Sequence, residues 1–219
     1  IPKSVKRKTK HREKKKIFRS YSFIAEYEDN ITLEIFVEYD KDKRKDFVKV
    51  ENEAKLFAHM YGQMPHFLKI YNKKIYIHND IDGDEDPNSN GLWWAEIQKK
   101  EFHINTIRDK NRYSRCGEKK RYSRCTLTMV HELAHIIDPG AGTIKPAQWE
   151  KARRLDKKKF ASEYAKTNSD EDFAESMVSW IVVRHKSDKI SKSDLEKFKK
   201  FIPNRLKLFD EMNFNVHPL

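Results

Sequence analysis

Two histidines four residues apart constrain the fold of this chain more than any other feature. They lie in the segment His131-Glu132-Leu133-Ala134-His135. On an α-helix, residues i and i+4 share one face, so two imidazole nitrogens can bind a single divalent metal ion. Apolar residues recur around the pair at helical spacing: Leu127, Val130, Leu133, Ala134 and Ile137. This stripe predicts a helix packed in the core, which Asp138-Pro139-Gly140 would end.

The pattern His-Glu-x-x-His is typical of zinc metalloproteases, in which the Glu acts as general base on a metal-bound water. The sequence therefore predicts a zinc site at His131 and His135, with Glu132 as the base. A catalytic zinc ion needs a third protein ligand. Two positions at which related patterns carry a third His are occupied by Gly140 and Ala141. The third ligand must therefore come from further along the chain.

A second helix with acidic residues at its start offers that ligand. Asn168 or Ser169 can cap it, and Glu171 and Glu175 share a face at i, i+4. A buried pair of carboxylates suits one metal ligand and one group that supports a ligand from behind. Acids in a first helical turn also occur simply because they interact well with the helix dipole. The spacing alone leaves these alternatives open.

A resemblance favours the metal role. Residues 164–175 read Tyr-Ala-Lys-Thr-Asn-Ser-Asp-Glu-Asp-Phe-Ala-Glu and follow His-Glu-Leu-Ala-His-Ile-Ile-Asp. This double motif resembles the catalytic domain family of anthrax lethal factor and the clostridial Pro-Pro endopeptidases. The resemblance covers residues 126–183. It implies that Glu171 is the third zinc ligand, that Glu175 supports a ligand His, and that the Tyr164 hydroxyl stabilises the transition state.

The same family is secreted, which bears on the cysteines and on localisation. Cys116 and Cys125 are the only two cysteines. In an extracellular protein they would form one disulfide just before the metal helix, and in a cytosolic protein they would be free thiols. The resemblance thus implies a secreted protein, from which any signal peptide would already have been removed. Asp138, one turn past His135, either supports the site or only ends the helix.

Net charge is concentrated at the beginning of the chain. Residues 1–16 hold nine basic residues and one acidic residue, so they carry +8 of the total +12. They lack apolar periodicity, and we predict a flexible basic arm that could contact an anionic surface. A merely solvated tail is the alternative. No run of apolar residues is long enough to cross a membrane.

Residues 17–125 predict a sheet with a packed helix. Alternating apolar residues indicate strands on either side of a turn at 28–30, and a helix follows over 50–60. Further strands are predicted at 68–70, 74–78, 91–97 and 101–107. We predict that residues 102–107 either form the rim of the active-site cleft and pair with extended substrate or make an ordinary core strand. Its candidate rim residues are Phe102, His103, Ile104 and Asn105.

An acidic loop lies between two of these strands. Asp80, Asp82, Asp84 and Asp86 place oxygen donors at every second position, as a calcium site requires. The register of a calcium-binding helix-loop-helix fails, because its twelfth position is Gly91 or Trp93 instead of Glu. A solvated loop is therefore the preferred interpretation, with Ca²⁺ as the alternative.

Together these patterns predict an α+β, zincin-like fold in a single domain over residues 17–219. A sheet-containing part (17–125) and a helical part (126–219) would enclose the cleft. The expected function is that of a monomeric zinc metalloendopeptidase acting on extended protein or peptide substrates. The alternatives are a cytosolic regulatory protease of the antirepressor type, a catalytically inactive binding or toxin domain, and a nucleic-acid-associated protein recruited by the basic arm.

Overall fold

The computed structural model describes residues 2–12, 19–38, 47–78, 93–105, 122–139, 143–157 and 159–219. Its strands are β1 (Pro2–Arg12), β2 (Arg19–Tyr27), β3 (Thr32–Glu38), β4 (Lys74–His78), β5 (Trp93–Glu96) and β6 (Glu101–Asn105). Its helices are α1 (Phe47–Gly62), α2 (His66–Lys69), α3 (Tyr122–Ile136), α4 (Pro146–Leu155), α5 (Ser169–His185), α6 (Lys192–Phe201) and α7 (Pro203–Glu211). Within these ranges, no helix is long and apolar enough to cross a membrane.

The six strands form one mixed sheet in the order β1-β2-β3-β4-β6-β5. The β3–β4 and β4–β6 pairs are parallel, and the other pairs are antiparallel. The predicted turn at 28–30 joins β2 to β3, and Asn30 adopts a positive φ of 60° there. Asn is one of the few non-glycine residues that accept this conformation readily. The mixed sheet together with the helices confirms the mixed α/β class.

The prediction of a flexible arm over residues 1–16 is wrong for its first part. Residues 2–12 form β1, which pairs antiparallel with β2 at one end of the sheet. Strand pairing uses backbone groups, so the absence of apolar periodicity did not prevent it. Lysine-rich sequence is common on edge strands, where charge discourages pairing with other chains.

The strand predicted at 68–70 is also wrong. His66–Lys69 form α2, and the Leu68 side chain is buried in the core. The Tyr61 hydroxyl holds this region, since its single proton is shared between the carbonyl oxygens of Lys69 and Asn72, each 2.9 Å away. A short apolar run is compatible with a buried helical turn as well as with a strand, so the sequence pattern did not distinguish the two.

One face of the sheet carries the core. In register across the strands, Phe23 pairs with Ile35, Ile35 with Ile75, and Ile75 with Phe102. All four are buried together with side chains of α1 and α3, which pack on this face. Helix α5 packs in turn on α3, so the sheet fixes α3 and α3 fixes α5. The core is continuous from the sheet to the helices.

A buried charge cluster, which we call the Arg205 network, joins three of the helical elements. It consists of Arg153, Asp156, Asp172 and Arg205. Arg205, 1% exposed, donates to Asp156 Oδ2 at 2.9 Å and to Asp172 Oδ1. Arg153 donates to the other oxygen of Asp172 at 2.8 Å. The network therefore ties the first turn of α5 to α4 and α7.

Candidate metal centre

Helix α3 places His131 and His135 side by side. Val130, Leu133 and Ala134 bury the opposite surface of the helix in the core. The two imidazole rings have centroids 4.9 Å apart, and their Nε2 atoms are separated by 3.2 Å. Burial of the apolar stripe thus determines the direction in which both histidines point.

Helix α5 brings the carboxylates to these histidines. The Asn168 side chain caps α5, accepting hydrogen bonds from the backbone N–H groups of Asp170 and Glu171 at 2.9 and 2.8 Å. The cap fixes the first turn of the helix, in which Glu171 lies. Glu171 Oε2 is 2.9 Å from His131 Nε2 and 3.5 Å from His135 Nε2. His131, His135 and Glu171 form what we call the helix cluster, whose ligand atoms all lie within 4.8 Å of one another.

The helix cluster fits a zinc ion on two grounds. Zinc binds nitrogen and oxygen ligands at about 2.0–2.2 Å, so tetrahedral ligand atoms lie about 3.3–3.6 Å apart. The three separations between the donor atoms are 2.9, 3.2 and 3.5 Å, so Glu171 and His131 would move slightly apart around an ion. Glu171 Oε2 is also buried and, among the described residues, accepts no hydrogen bond of acceptable geometry. An atom in that position is suited to coordinate a cation.

The charges of the helix cluster also favour a cation. Burial alone would raise the pKa of Glu171, but His131 and His135 outweigh it and hold this pKa well below its usual range. Burial would lower the pKa of His131, yet Glu171 and Glu175 raise it to about 9. The carboxylates thus draw positive charge to this point, and a metal ion would replace a proton there.

Glu175 lies behind His131. Its Oε1 is 2.8 Å from His131 Nδ1, on the side of the ring away from Glu171. A carboxylate at this nitrogen fixes the ring and leaves Nε2 directed into the helix cluster. The carboxyl also receives a hydrogen bond from Ser162, which helps to lower its pKa against the effect of burial.

Glu132 is half-buried next to the helix cluster but is not part of it. Burial raises the pKa of Glu132 to about 7; the positive charges of His131 and His135 oppose the rise, and Glu171 adds to it. A carboxyl group with a pKa near neutral exchanges protons readily at physiological pH.

Tyr164 lies in a 3₁₀ turn (Tyr164–Lys166) between α4 and α5. Its ring is 5.8 Å from the His131 ring, and the residue is 54% exposed. Burial of the hydroxyl, the Glu171 charge and a hydrogen bond to Glu171 raise the pKa of Tyr164 to about 12. The hydroxyl therefore stays protonated at neutral pH and can donate a hydrogen bond. Tyr164 thus lies beside the helix cluster, as the resemblance implied.

The prediction that residues 102–105 form the rim of the cleft is wrong, and the alternative of a core strand describes them. Phe102, His103, Ile104 and Asn105 belong to β6, which lies between β4 and β5 with both edges paired. An interior strand has no free backbone groups with which to bind a peptide. Among the described strands, β5 ends this side of the sheet instead.

Two contributors were missed by the sequence analysis. Ser162 contacts Glu175, and the Arg205 network holds Asp172, the neighbour of Glu171. No sequence pattern marks either of them, because their partners are far away in the chain. Asp138 is buried at the end of α3, and its support of the site stays a prediction. The Asp80–Asp86 loop and Cys116 lie outside the described residues, so the calcium site and the pairing with the buried Cys125 also stay predictions.

Comparisons with protein-family models, with curated proteins and with solved structures gave no match to this chain. The geometry of the helix cluster and the motif residues therefore carry the functional argument.

Proposed function

We propose that this protein is a zinc-dependent metalloendopeptidase with a zincin-like catalytic domain. The observation that carries the proposal is the helix cluster, in which two imidazole nitrogens and one carboxylate oxygen meet with Glu132 alongside. His131, His135 and Glu171 would hold the ion. When bound, Zn²⁺ supplies Lewis acidity, which polarises a carbonyl group and makes water acidic enough to lose a proton near neutral pH.

The side chains around the helix cluster suit the remaining steps. Glu132, half-buried beside the helix cluster, would accept the proton of the attacking water and deliver it to the leaving amine. Tyr164 remains protonated and donates a hydrogen bond to the oxyanion that forms on the scissile carbonyl. Glu175 keeps the His131 ring in the orientation that directs Nε2 into the helix cluster.

The substrate in this proposal is an extended segment of a protein or peptide. Because β6 is an interior strand, the outer edge of β5 is the one that would pair with such a segment. A cleft between the sheet and the helices, secretion, and a monomeric state belong to the same proposal and follow from the resemblance to the lethal factor family. The antirepressor-type protease and the inactive binding domain remain the alternatives.

Digestion of a peptide library, with the products identified by mass spectrometry, tests the proposal. Wild type, chelator-treated wild type and Glu132→Ala would be compared, with Glu196→Ala as a control because this side chain is exposed on α6. We expect cleavage by untreated wild type and by Glu196→Ala only. A protein that binds one zinc ion without cleaving any peptide would favour the inactive binding domain. A protein that binds no zinc would contradict the proposal.

A further inference from the structure

A second cluster of histidine and carboxylate groups lies on the face of the sheet opposite the core. Glu96 of β5 is the direct partner of Glu101 of β6, and His103 lies two residues further along β6 on the same face. We call Glu96, Glu101 and His103 the strand cluster. Their ligand atoms all lie within 4.8 Å of one another. From this arrangement we propose that the strand cluster is a second divalent metal site, with Zn²⁺ as its ion.

The carboxylates are arranged so that each has one oxygen for a lysine and one for a shared ion. Glu101 Oε1 accepts a hydrogen bond from Lys74 at 3.2 Å, and Glu96 Oε2 is 2.5 Å from Lys99 Nζ. The other two oxygens approach His103 Nε2, Glu96 Oε1 at 3.6 Å and Glu101 Oε2 at 3.9 Å. Like charges directly opposite one another on neighbouring strands are destabilising. A cation between the strands would remove that repulsion.

The distances between the donor atoms fit a shared ion better than they fit direct hydrogen bonds between His103 and the two carboxylates. Separations of 3.6 and 3.9 Å exceed the usual N–H···O length of about 2.7–3.2 Å. An ion bonded at about 2.0–2.2 Å to each donor holds neighbouring donors about 3.3–3.6 Å apart. The 3.6 Å separation of Glu96 lies within this range, and the Glu101 carboxylate must move slightly closer to His103 for its 3.9 Å separation to do so. The Glu96 side chain, 30% exposed, leaves a route for the ion to enter.

The His103 ring is held in the orientation that a metal ligand needs. Tyr76 and Trp94 stack on it, each with ring centroids 4.9 Å from that of His103. His103 Nδ1 lies 3.0 Å from His78 Nε2, and His78 Nδ1 lies 3.9 Å from Glu38 Oε2. With His78 protonated at Nδ1, beside Glu38, and His103 protonated at Nδ1, the Nε2 lone pair of His103 points at the two carboxylates. A hydrogen-bonding partner behind a ligating imidazole, here His78, is a common feature of metal sites.

The mixed donor set identifies the class of ion. One imidazole and two carboxylates suit Zn²⁺ and similar divalent transition metals, whereas Ca²⁺ prefers oxygen ligands only. An ion here would join β5 to β6 and so stabilise the strand that ends the sheet. The two lysines next to the carboxylates reduce the local negative charge, so we expect weaker binding than at the helix cluster.

Zinc titration of the metal-free full chain by isothermal calorimetry tests this site. We expect two Zn²⁺ per chain in wild type, one tight and one weaker. Glu96→Gln and His103→Phe should each weaken the second binding event at least tenfold and leave the tight one unchanged. Phe preserves the stacking between Tyr76 and Trp94, and the partly exposed Glu96 tolerates Gln, so at least one variant is expected to fold.

A double variant, His131→Ala with His135→Ala, separates the two sites. It should lose the tight event, keep the weaker one and still melt at a higher temperature when Zn²⁺ is added. Adding Glu96→Gln should abolish that rise in melting temperature. A wild type that binds one Zn²⁺, lost in the double variant, would overturn the second site without affecting the proposed peptidase. A second event that persists in both Glu96→Gln and His103→Phe would overturn it as well.

Discussion

The helix cluster and the strand cluster use the same donor types but are held by different scaffolds. Helices α3 and α5 bring their donor atoms to 2.9–3.5 Å, and Glu175 backs His131 at 2.8 Å. Strands β5 and β6 leave 3.6 and 3.9 Å between the donors, and His78 backs His103 at 3.0 Å. Cβ atoms are about 5–6 Å apart at i, i+4 on a helix and about 4.5–5.5 Å apart in a cross-strand pair, so the backbones space the donors similarly. The difference between the clusters lies in how far the side chains converge.

The carboxylates of the two clusters also differ in the cationic side chains that they contact. In the helix cluster, Glu171 pairs with the two histidines and accepts a hydrogen bond from Tyr164, while the neighbouring Asp172 is neutralised by the Arg205 network. In the strand cluster, lysines bind both carboxylates directly. In the helical part, the carboxylate that the arginines hold in place is therefore Asp172, which is a different residue from the potential metal ligand. This leaves Glu171 available for a metal ion. This difference predicts chemistry at the helix cluster and a structural ion at the strand cluster.

Substitution of the general base should have the strongest effect, because only the helix cluster is expected to support catalysis. Glu132→Gln should lower kcat for peptide hydrolysis by about 10²–10⁴-fold, because the proton acceptor is lost. Its zinc content should stay at the wild-type value, since Glu132 is not a ligand. Glu101→Gln, the matched change in the strand cluster, should leave kcat unchanged. Equal losses of activity in the two variants would contradict the division of roles between the clusters.

The second effect concerns the stability that each scaffold derives from ion pairs. Arg205→Met leaves Asp156 and Asp172 buried with fewer partners, and breaking a buried pair costs about 3–5 kcal/mol. Lys74→Met removes the partner of Glu101 in a pair whose lysine is 40% exposed, which should cost about 0–1 kcal/mol. Urea unfolding of both variants measures the difference.

A similar loss in the two variants would show that the Arg205 network does not support α5 specifically. If Arg205→Met is too unstable to purify, Arg153→Met provides a second variant. It removes the less buried of the two arginines that bind Asp172 and should cost less than Arg205→Met.

The third effect compares the groups behind the ligating histidines. Glu175→Gln should weaken zinc binding at the helix cluster by about 10–100-fold, because the amide holds the His131 ring less firmly. His78→Phe, which retains the ring stacked on Trp94, should weaken only the binding at the strand cluster. Calorimetric titration of both variants gives the two affinities. If Glu175→Gln changes the weaker event instead, the assignment of the tight event to the helix cluster is wrong.

How much of this could be predicted from the sequence depended on the distance between partners. His131, Glu132 and His135 lie within one helical turn and a half, so local spacing placed them correctly. Glu171 and Glu175 shared a helix face in the sequence, but their contact with α3 was implied only by the resemblance. The position of β6 was wrong because strand order is a property of the whole sheet: β6 pairs with β4 from an earlier part of the chain. Arg205 reaches Asp156 and Asp172 from 49 and 33 residues away, and no local pattern reveals that.

The weakest of these effects concerns how the stability of the protein depends on pH. It compares one ion-paired aspartate next to the sheet with one in the helical part. Asp29, in the β2–β3 turn, accepts hydrogen bonds from Lys69 at 2.5 Å and from His66 at 3.1 Å. Burial opposes them, yet these partners lower the pKa of Asp29 below 3.8. A carboxyl with a lowered pKa in the folded state adds stability above its unfolded pKa and loses it as the pH falls through the folded value.

Wild type should therefore be more stable than Asp29→Asn above about pH 5, and the difference should shrink as the pH falls below the ordinary carboxyl range. Asp210 is the counterpart in the helical part, where burial opposes but Arg184 and Trp180 lower its pKa. Its pair with Arg184 is more exposed than the Asp29–Lys69 pair, so water screens it more and Asp210→Asn should show the same trend with a smaller amplitude. Free energies of unfolding measured at several pH values for the three proteins test this order. A larger pH effect for Asp210→Asn would mean that the buried Lys69 contributes less to the folded state than its contact with Asp29 indicates.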